Sequence, residues 1–226
     1  MKLSLGTTYY NCPELLIKFI DHHIDYFDEL IVVDDGSNIP AENYIQKNSK
    51  IKLYRVPIDY GFNSHGCRNL IMKETSNDWA VLFDVDRLIV DPKFATQTIK
   101  SKKLNKNTVY LFEMFSNYKD FNTMHISVND FLVHKEHFWN AGGYDEEFIG
   151  MRVGDREYRE QLKNYGNEKI LYGIQAMFTR KPSLKLNITS PNDKRIDRKV
   201  YNKIVRRLKF PKPDKSTLTF EWHRVF

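Results

Sequence analysis

Residues 81–87 are Val-Leu-Phe-Asp-Val-Asp-Arg, a short apolar run that ends in two carboxylates one residue apart. Side chains at positions i and i+2 of an extended segment point to the same face, so Asp84 and Asp86 would bring two negative charges together at the end of a strand. Like charges this close oppose joint ionisation, and a positive group or solvent has to offset their repulsion. A divalent cation, the neighbouring Arg87 and water are the three candidates.

The first ninety residues alternate between strand and helix patterns. Predicted strands cover residues 3–8, 30–33, 51–56 and 79–84. Predicted helices begin at Pro13 and cover 42–47 and 67–74. Short apolar runs that alternate with helical segments predict a parallel sheet with helices on both faces. Ligands of such sheets bind beyond the carboxyl ends of the strands, so Thr8, Asp35 and Asp84 are expected along one rim.

The pattern is weaker after residue 91. It predicts strands at 108–115 and 130–134, and helical segments at 94–103, 135–139 and 156–165. The last of these is expected to end at Gly166, since glycine favours the position that follows a helix. No internal repeat or low-complexity segment is present.

The composition is that of a globular protein. Of 226 residues, 41% are hydrophobic and 28% are charged. No run approaches the ~18 apolar residues that a membrane-spanning helix needs, and the first eight residues lack the apolar stretch of a signal peptide. Cys12 and Cys67 form neither a disulfide framework nor a metal-ligand pattern. These features predict reduced thiols in a cytoplasmic protein.

The net charge of +6 is concentrated near the C-terminus, where residues 194–215 contain ten Lys or Arg and two Asp. Apolar residues at helical spacing within this stretch predict an amphipathic helix. Such a segment favours an anionic partner, which could be a phosphorylated ligand, an acidic glycan, a membrane surface or a nucleic acid. A solvated basic tail without a partner is an equally good interpretation.

The Asp84–Asp86 pair is the strongest candidate site. The chain has neither a GxxxxGK[ST] phosphate loop nor a GxGxxG motif after the first strand. Mg²⁺ and Mn²⁺ prefer carboxylate oxygen, and one or two carboxylates together with substrate phosphates often hold them. The alternative is structural: Asp86 caps a turn and pairs with Arg87. A DxD pattern alone does not decide between the two.

Several further stretches accompany this pair in a fixed order. They are Thr-Tyr-Tyr-Asn-Cys-Pro at 8–13, Val-Val-Asp-Asp-Gly-Ser at 32–37, Gly-Cys-Arg-Asn at 66–69, Ala-Gly-Gly-Tyr-Asp-Glu-Glu-Phe at 141–148 and Gly-Asp-Arg-Glu-Tyr at 154–158. Together the set resembles the family 2 glycosyltransferases over about residues 1–170. The resemblance implies an α/β protein of the GT-A fold, with a single Rossmann-like, mostly parallel sheet flanked by helices. The charge and apolar spacing near the C-terminus add a basic C-terminal helical tail to this fold class.

The resemblance also implies roles on the donor side. Thr8 and Asp35 would contact the nucleotide base, the aspartate through a ring N–H of uracil. Arg68 matches an arginine near the base and the phosphates, and Asp84 would face the ribose. Asp86 would bind the Mn²⁺ or Mg²⁺ that bridges the diphosphate.

On the acceptor side, Asp155 matches the carboxylate that acts as general base on the acceptor hydroxyl. The family usually has Glu-Asp here, whereas this chain has Gly154-Asp155, so Glu157 stays open as an alternative base. As a lone feature, Asp155 would be an ordinary helix N-cap. The Gln-x-x-Arg-Trp motif of processive members is absent, which predicts transfer of one sugar.

Two histidines are further candidates. Some GT-A enzymes complete the metal shell with a C-terminal histidine, and the resemblance therefore makes His223 a candidate metal ligand. The alternative is that His223 belongs to an aromatic-flanked segment that packs the C-terminus onto the domain. His65, close to Arg68 in the sequence, is a weaker candidate for contact with the diphosphate.

These features predict a metal-dependent, inverting glycosyltransferase of the hexosyltransferase type. It would move one sugar from a nucleotide-sugar donor, a UDP-sugar first of all, to a hydroxyl of a glycan or glycoconjugate. The predicted domain covers residues 1–190, with a nucleotide-binding half to about residue 90 and an acceptor-side half to 190, and residues 191–226 are a basic extension. Peripheral membrane contact through the basic helix is compatible with the sequence, and no nucleic acid is expected. A non-catalytic sugar-nucleotide-binding protein is the main alternative, followed by a basic nucleic-acid-binding protein.

Overall fold

The computed structural model describes residues 1–115, 124–179, 190–194, 197–207 and 218–226. Within these residues one mixed sheet forms the centre of the protein, in the order β5-β8-β6-β7-β4-β1-β2-β3-β9. The strands are β1 Leu3–Tyr9, β2 Glu29–Asp35, β3 Ile51–Val56, β4 Trp79–Leu82, β5 Arg87–Ile89, β6 Thr108–Phe115, β7 Met124–His134, β8 Asn167–Phe178 and β9 His223–Arg224.

Six helices are described. They are α1 Pro13–His23, α2 Ser64–Glu74, α3 Pro92–Ser101, α4 Lys135–Asn140, α5 Asp155–Asn164 and α6 Arg198–Arg207. Short 3₁₀ turns cover Ala41–Asn43 and Glu146–Phe148. None of the helices in the described residues is long and apolar enough to span a membrane.

Alternate residues of the central strands enter two different cores, because successive side chains of a strand point to opposite faces. In β2, Val32 packs into the core that contains residues of α1 and α3. Its neighbour Val33 packs into the core that contains residues of α2, α4 and α5. Helices therefore cover both faces of the sheet.

The predicted parallel half of the sheet is confirmed. Strands β4, β1, β2 and β3 are adjacent and parallel, and they share one rim at their carboxyl ends. Strand β7 then pairs antiparallel with β4 and continues the sheet towards β6, β8 and β5. The sequence pattern did not predict β5, β8 or β9, which are short or lie at the less regular end of the sheet.

Two local predictions in the first half are wrong. The helix predicted over 42–47 is only the 3₁₀ turn Ala41–Asn43, since six residues are too few to offset the cost of starting a helix. Strand β2 does not end at Val33 but continues through Asp34 and Asp35, which pair with β3. Asp34 can be buried there because it accepts hydrogen bonds from the backbone N–H groups of Ser37 and Ala41, both at 2.9 Å.

Described parts of the C-terminal extension contact the domain. Strand β9 pairs antiparallel with β3 at the edge of the sheet, and the Trp222 ring lies 5.7 Å from the Tyr54 ring. The predicted basic helix is present as α6. Two parts of the basic stretch, 195–196 and 208–215, lie outside the described residues. So do residues 116–123, between β6 and β7.

Candidate active site at the strand rim

A cavity of about 300 Å³ opens at the carboxyl ends of the parallel strands. Five of the predicted site residues line it: Thr8, Asp35, Asp84, Asp86 and Asp155. Strands β1, β2 and β4 supply the first residues because their ends share one rim, and α5 supplies Asp155 from the other half of the chain. The cavity therefore joins predicted site residues that are up to 147 positions apart in the sequence.

Arginines offset the charge of Asp84. Its Oδ1 lies 2.5 Å from Arg68 Nη2, and its Oδ2 lies 3.1 Å from Arg87 Nη2. Burial alone would raise the pKa of Asp84, but the two guanidinium groups outweigh burial and lower it. Asp84 is therefore ionised, and both of its oxygens are already engaged by arginine.

Asp86 has a different environment. It lines the cavity, its side chain is about one-quarter exposed, and Oδ1 lies 3.8 Å from Arg87 Nε. No group of three or more His, Cys, Asp or Glu side chains within the described residues could hold a metal by itself. The residues fit a hard cation held by the Asp86 carboxylate, with a bound diphosphate and water as the other ligands.

Arg68 is a buried cation that joins both halves of the site. Its Nη1 donates to the Asn129 carbonyl at 2.8 Å and to the Tyr144 hydroxyl at 2.9 Å. The same Nη1 lies 3.7 Å from Asp155 Oδ1. Arg68 is not among the residues that line the cavity, and it lies behind Asp84 and Asp155. Its predicted contact with the base or the phosphates stays a prediction.

The Asp35 carboxyl lies on the rim at the carboxyl end of β2. Oδ2 accepts the Asn63 backbone N–H at 3.0 Å, whereas the buried Oδ1 has no hydrogen-bond partner among the described residues. Burial raises the pKa of Asp35 to about 7. An unsatisfied buried acceptor is costly, and an N–H group of a ligand in the cavity would satisfy it.

Asp155 lies between two cavities. It lines the first, and it also lines a second cavity of about 690 Å³ formed by the start of α5 and by α6. Its Oδ1 is buried and has no hydrogen bond within the described residues. Glu157 lines only the second cavity, where its Oε1 accepts the Tyr201 hydroxyl.

A family model described as glycosyl transferase family 2 matches residues 4–185. The chain belongs to this family. That match covers most of the chain, including every strand from β1 to β8, and ends before the segment that contains α6. No curated protein sequence is significantly similar to the chain.

Solved structures show the GT-A fold of this glycosyltransferase. S. aureus TarS has a TM-score of 0.57 at 15% identity, over 80% of this chain and 37% of the other. The mannosyltransferase PcManGT from Pyrobaculum calidifontis, in complex with GDP-Man and Mn²⁺, has a TM-score of 0.62 at 12% identity, over 80% and 58%. A Drosophila beta1,4-galactosyltransferase 7 mutant, in complex with manganese, UDP-Gal and xylobiose, has a TM-score of 0.56 at 14% identity, over 96% and 82%. The glycosyltransferase thus spans little more than a third of TarS and 58% of the mannosyltransferase.

Position 154 is glycine here, where the family usually has glutamate, and this difference has a steric cause. Gly154 has φ +120°, and a Cβ there would lie 2.7 Å from His65 Nε2 and 2.9 Å from Phe148 Cδ2. The buried His65 ring has no hydrogen bond within the described residues, and burial lowers its pKa, so it is neutral near pH 7. His65 does not line either cavity, which argues against its predicted contact with a diphosphate.

The structure does not bring His223 to the other site residues. His223 is exposed on β9, where it pairs with Arg55 at the far edge of the sheet. Four strand spacings separate β9 from β4, about 19 Å at ~4.8 Å per spacing. In this arrangement His223 is not a ligand of a cation on Asp86, because the C-terminal segment turns to the opposite side of the parallel strands. The alternative interpretation, a residue that packs the C-terminus onto the domain, fits its position.

Sequence reasoning missed two groups of site residues. Buried Asp130 pairs with Arg87 and accepts the Asp84 backbone N–H at 2.9 Å, so it fixes the loop that carries both aspartates. Asp193 accepts the Phe62 backbone N–H at 2.8 Å and pairs with Arg152 at 2.9 Å, closing one wall of the first cavity. No local motif marks either aspartate, since each acts through residues more than 40 positions away.

Proposed function

We propose that this glycosyltransferase binds a nucleoside-diphosphate sugar in the first cavity and transfers the sugar, with inversion, to a hydroxyl group in the second. A UDP-sugar is the proposed donor and a glycan or glycoconjugate the proposed acceptor. The observation that carries the proposal is the position of Asp155. This residue lines both cavities, and its Oδ1 accepts no hydrogen bond within the described residues. A general base for such a transfer has to contact the acceptor beside the donor.

The donor side is proposed as follows. Oδ1 of Asp35 accepts a base N–H, and Thr8 lies beside it on β1. The Asp86 carboxylate would hold Mn²⁺ or Mg²⁺, which neutralises charge on the departing diphosphate when bound. Solved structures of the same fold contain Mn²⁺ with GDP-Man, and manganese with UDP-Gal, which supports a divalent ion and a sugar nucleotide in general terms.

On the acceptor side, Asp155 takes the proton of the attacking hydroxyl. Arg68 Nη1 lies 3.7 Å from Asp155 Oδ1 and orients this carboxylate. Glu157 is the weaker candidate for the base, because it lines only the acceptor-side cavity and is bonded to Tyr201.

The Asp155→Asn variant tests this assignment. We expect it to release nucleotide from a panel of UDP- and GDP-sugars with Mn²⁺ about 10²–10⁴-fold more slowly than the wild type. UDP affinity measured by calorimetry should change less than about threefold, since the base does not bind the nucleotide. Loss of UDP binding in this variant would show that Asp155 has been given the wrong role.

Glu157→Gln is the matched control. It keeps an acceptor for the Tyr201 hydroxyl but removes the negative charge. We expect nucleotide release within a few-fold of the wild-type rate. If this variant loses as much activity as Asp155→Asn, Glu157 contributes as a base and the assignment has to be revised.

A further inference from the structure

The second cavity is lined by charged side chains of both signs. Its lining includes Arg152, Arg156 and Arg198 on the positive side and Asp155 and Glu157 on the negative side. Arg152 is paired with Asp193, which lies outside this lining, and it also stacks over Phe62 at 4.9 Å. The charges left to interact within the cavity are therefore those of two arginines and two carboxylates.

The two carboxylates of this cavity already have functions or partners. Asp155 faces the donor cavity and lies 3.7 Å from Arg68. Glu157 accepts the Tyr201 hydroxyl, and this bond ties α6 to the first turn of α5. No ion pair joins Arg156 or Arg198 to a carboxylate among the described residues, and both side chains are exposed.

Arg156 and Arg198 come from different helices that both line the cavity. Arg156 is the second residue of α5 and directly follows Asp155, and Arg198 is the first residue of α6. The family match ends at residue 185, so α6 adds Arg198 to the lining from outside the matched region. Guanidinium donors match phosphate and carboxylate oxygens, so two arginines in one lining favour an anionic ligand.

We propose that the second cavity selects an acceptor that carries an anionic group, a phosphate or a carboxylate, near the hydroxyl that receives the sugar. Arg156 and Arg198 bind the anion, and this places the hydroxyl against Asp155. The inference rests on the proposed glycosyl transfer and adds the class of acceptor. A cavity of about 690 Å³ suits a charged saccharide or alcohol phosphate better than a flat membrane surface.

The test uses the whole chain saturated with UDP and Mn²⁺. Glucose, glucuronic acid and glucose 6-phosphate are titrated into it by calorimetry. We expect one or both anionic probes to bind at least about tenfold more tightly than glucose. In the Arg156→Gln/Arg198→Gln double variant this preference should disappear, since two charge-assisted contacts are lost. Comparing the two anionic probes distinguishes a phosphate from a carboxylate.

Lys199→Gln is the matched control, because Lys199 is an exposed cation on the same turn of α6 that does not line the cavity. It should keep the preference for the anionic probe. The proposal is overturned if glucose and both anionic probes bind equally, or if Lys199→Gln loses as much as the double variant. It is also overturned if the double variant loses binding to vesicles of anionic lipid but not to the sugar anions.

The same titrations separate this inference from the proposed function. UDP and Mn²⁺ binding is measured first on every variant. If the wild type does not bind UDP, the proposed glycosyl transfer is wrong. If UDP binds normally to all variants while the anion preference is absent, only the acceptor inference is wrong.

Discussion

Two aspartates that are one residue apart in the sequence have different partners in the folded chain. Asp84 contacts Arg68 and Arg87 through both of its oxygens. Asp86 has Arg87 Nε at 3.8 Å and faces the cavity. Of the three candidates for offsetting the charge of this pair, arginine serves Asp84, and the proposed cation belongs to Asp86.

The pKa of Asp35 leads to a prediction on pH. Burial raises this pKa to about 7, so the carboxyl of the free protein is mostly protonated at pH 6 and ionised at pH 8. The ionised Oδ1 accepts a uracil N–H more strongly than the neutral form. We expect uridine, which carries no phosphate, to bind about tenfold more tightly at pH 8 than at pH 6, measured by calorimetry.

The Asp35→Asn variant is the control for this prediction, because it cannot ionise and should give a flat pH profile. If the affinity of the wild type for uridine does not change between pH 6 and 8, Asp35 does not contact the uracil base.

At the scale of elements, the start of α5 depends on Gly154. As a lone feature Asp155 would be the residue that caps this helix, but Gly154 occupies the cap with φ +120° and Asp155 is the first helical residue. The left-handed backbone and the adjacent His65 ring both exclude a side chain at position 154. The departure from the family's Glu-Asp pair is therefore a packing feature, and it leaves Asp155 facing the cavity.

Gly154→Ala should lower the free energy of unfolding by roughly 2–4 kcal/mol, from backbone strain and overpacking together. Chemical denaturation measures this change. Combining Gly154→Ala with His65→Ala should cost less than the sum of the two single changes, because the nearest clash is relieved. Strict additivity would contradict the steric account.

Gly173→Ala provides the matched comparison. Gly173 also has positive φ, +84°, but a Cβ there would meet nothing within 4 Å. It should therefore show the backbone cost alone, about 1 kcal/mol or somewhat more. A loss as large as that of Gly154→Ala would mean that contact with His65 does not matter.

At the scale of the whole molecule, the described residues provide no preformed metal cluster. The proposed cation would therefore need the diphosphate of the donor to complete its coordination shell. We expect Mn²⁺ alone to bind weakly, and UDP to bind at least about tenfold more tightly with Mn²⁺ than with EDTA, because the diphosphate completes the coordination shell. In the Asp86→Ala variant, the affinity for UDP with Mn²⁺ should fall to the affinity measured with EDTA, with calorimetry as the measurement.

Asp21→Ala is the control for Asp86→Ala, since Asp21 is an exposed carboxylate on α1 outside the donor cavity. It should leave the Mn²⁺ effect unchanged. Equal UDP affinity in Mn²⁺ and in EDTA, for both the wild type and Asp86→Ala, would exclude a bridging cation at this position.

The sequence by itself determined the parallel half of the sheet and the rim on which Thr8, Asp35 and Asp84 lie. The alternation of short apolar runs with helical segments is a local property, and the hydrophobic pattern encodes it directly. The ordered motifs also determined the family, and with it the prediction of Asp155 as the base. The resemblance to GT-A enzymes, some of which use a C-terminal histidine, made His223 a candidate metal ligand, and the structure places it on β9 at the far edge of the sheet.

Only the tertiary structure decided which partners those residues have. Arg68 pairs with Asp84 and lies near Asp155, Asp130 fixes the loop of the paired aspartates, and α6 forms a wall of the second cavity. Each contact joins segments that are distant in the sequence, so no local pattern predicts it. Side-chain partners depend on distances after folding, and these follow from the packing of the whole chain around the sheet.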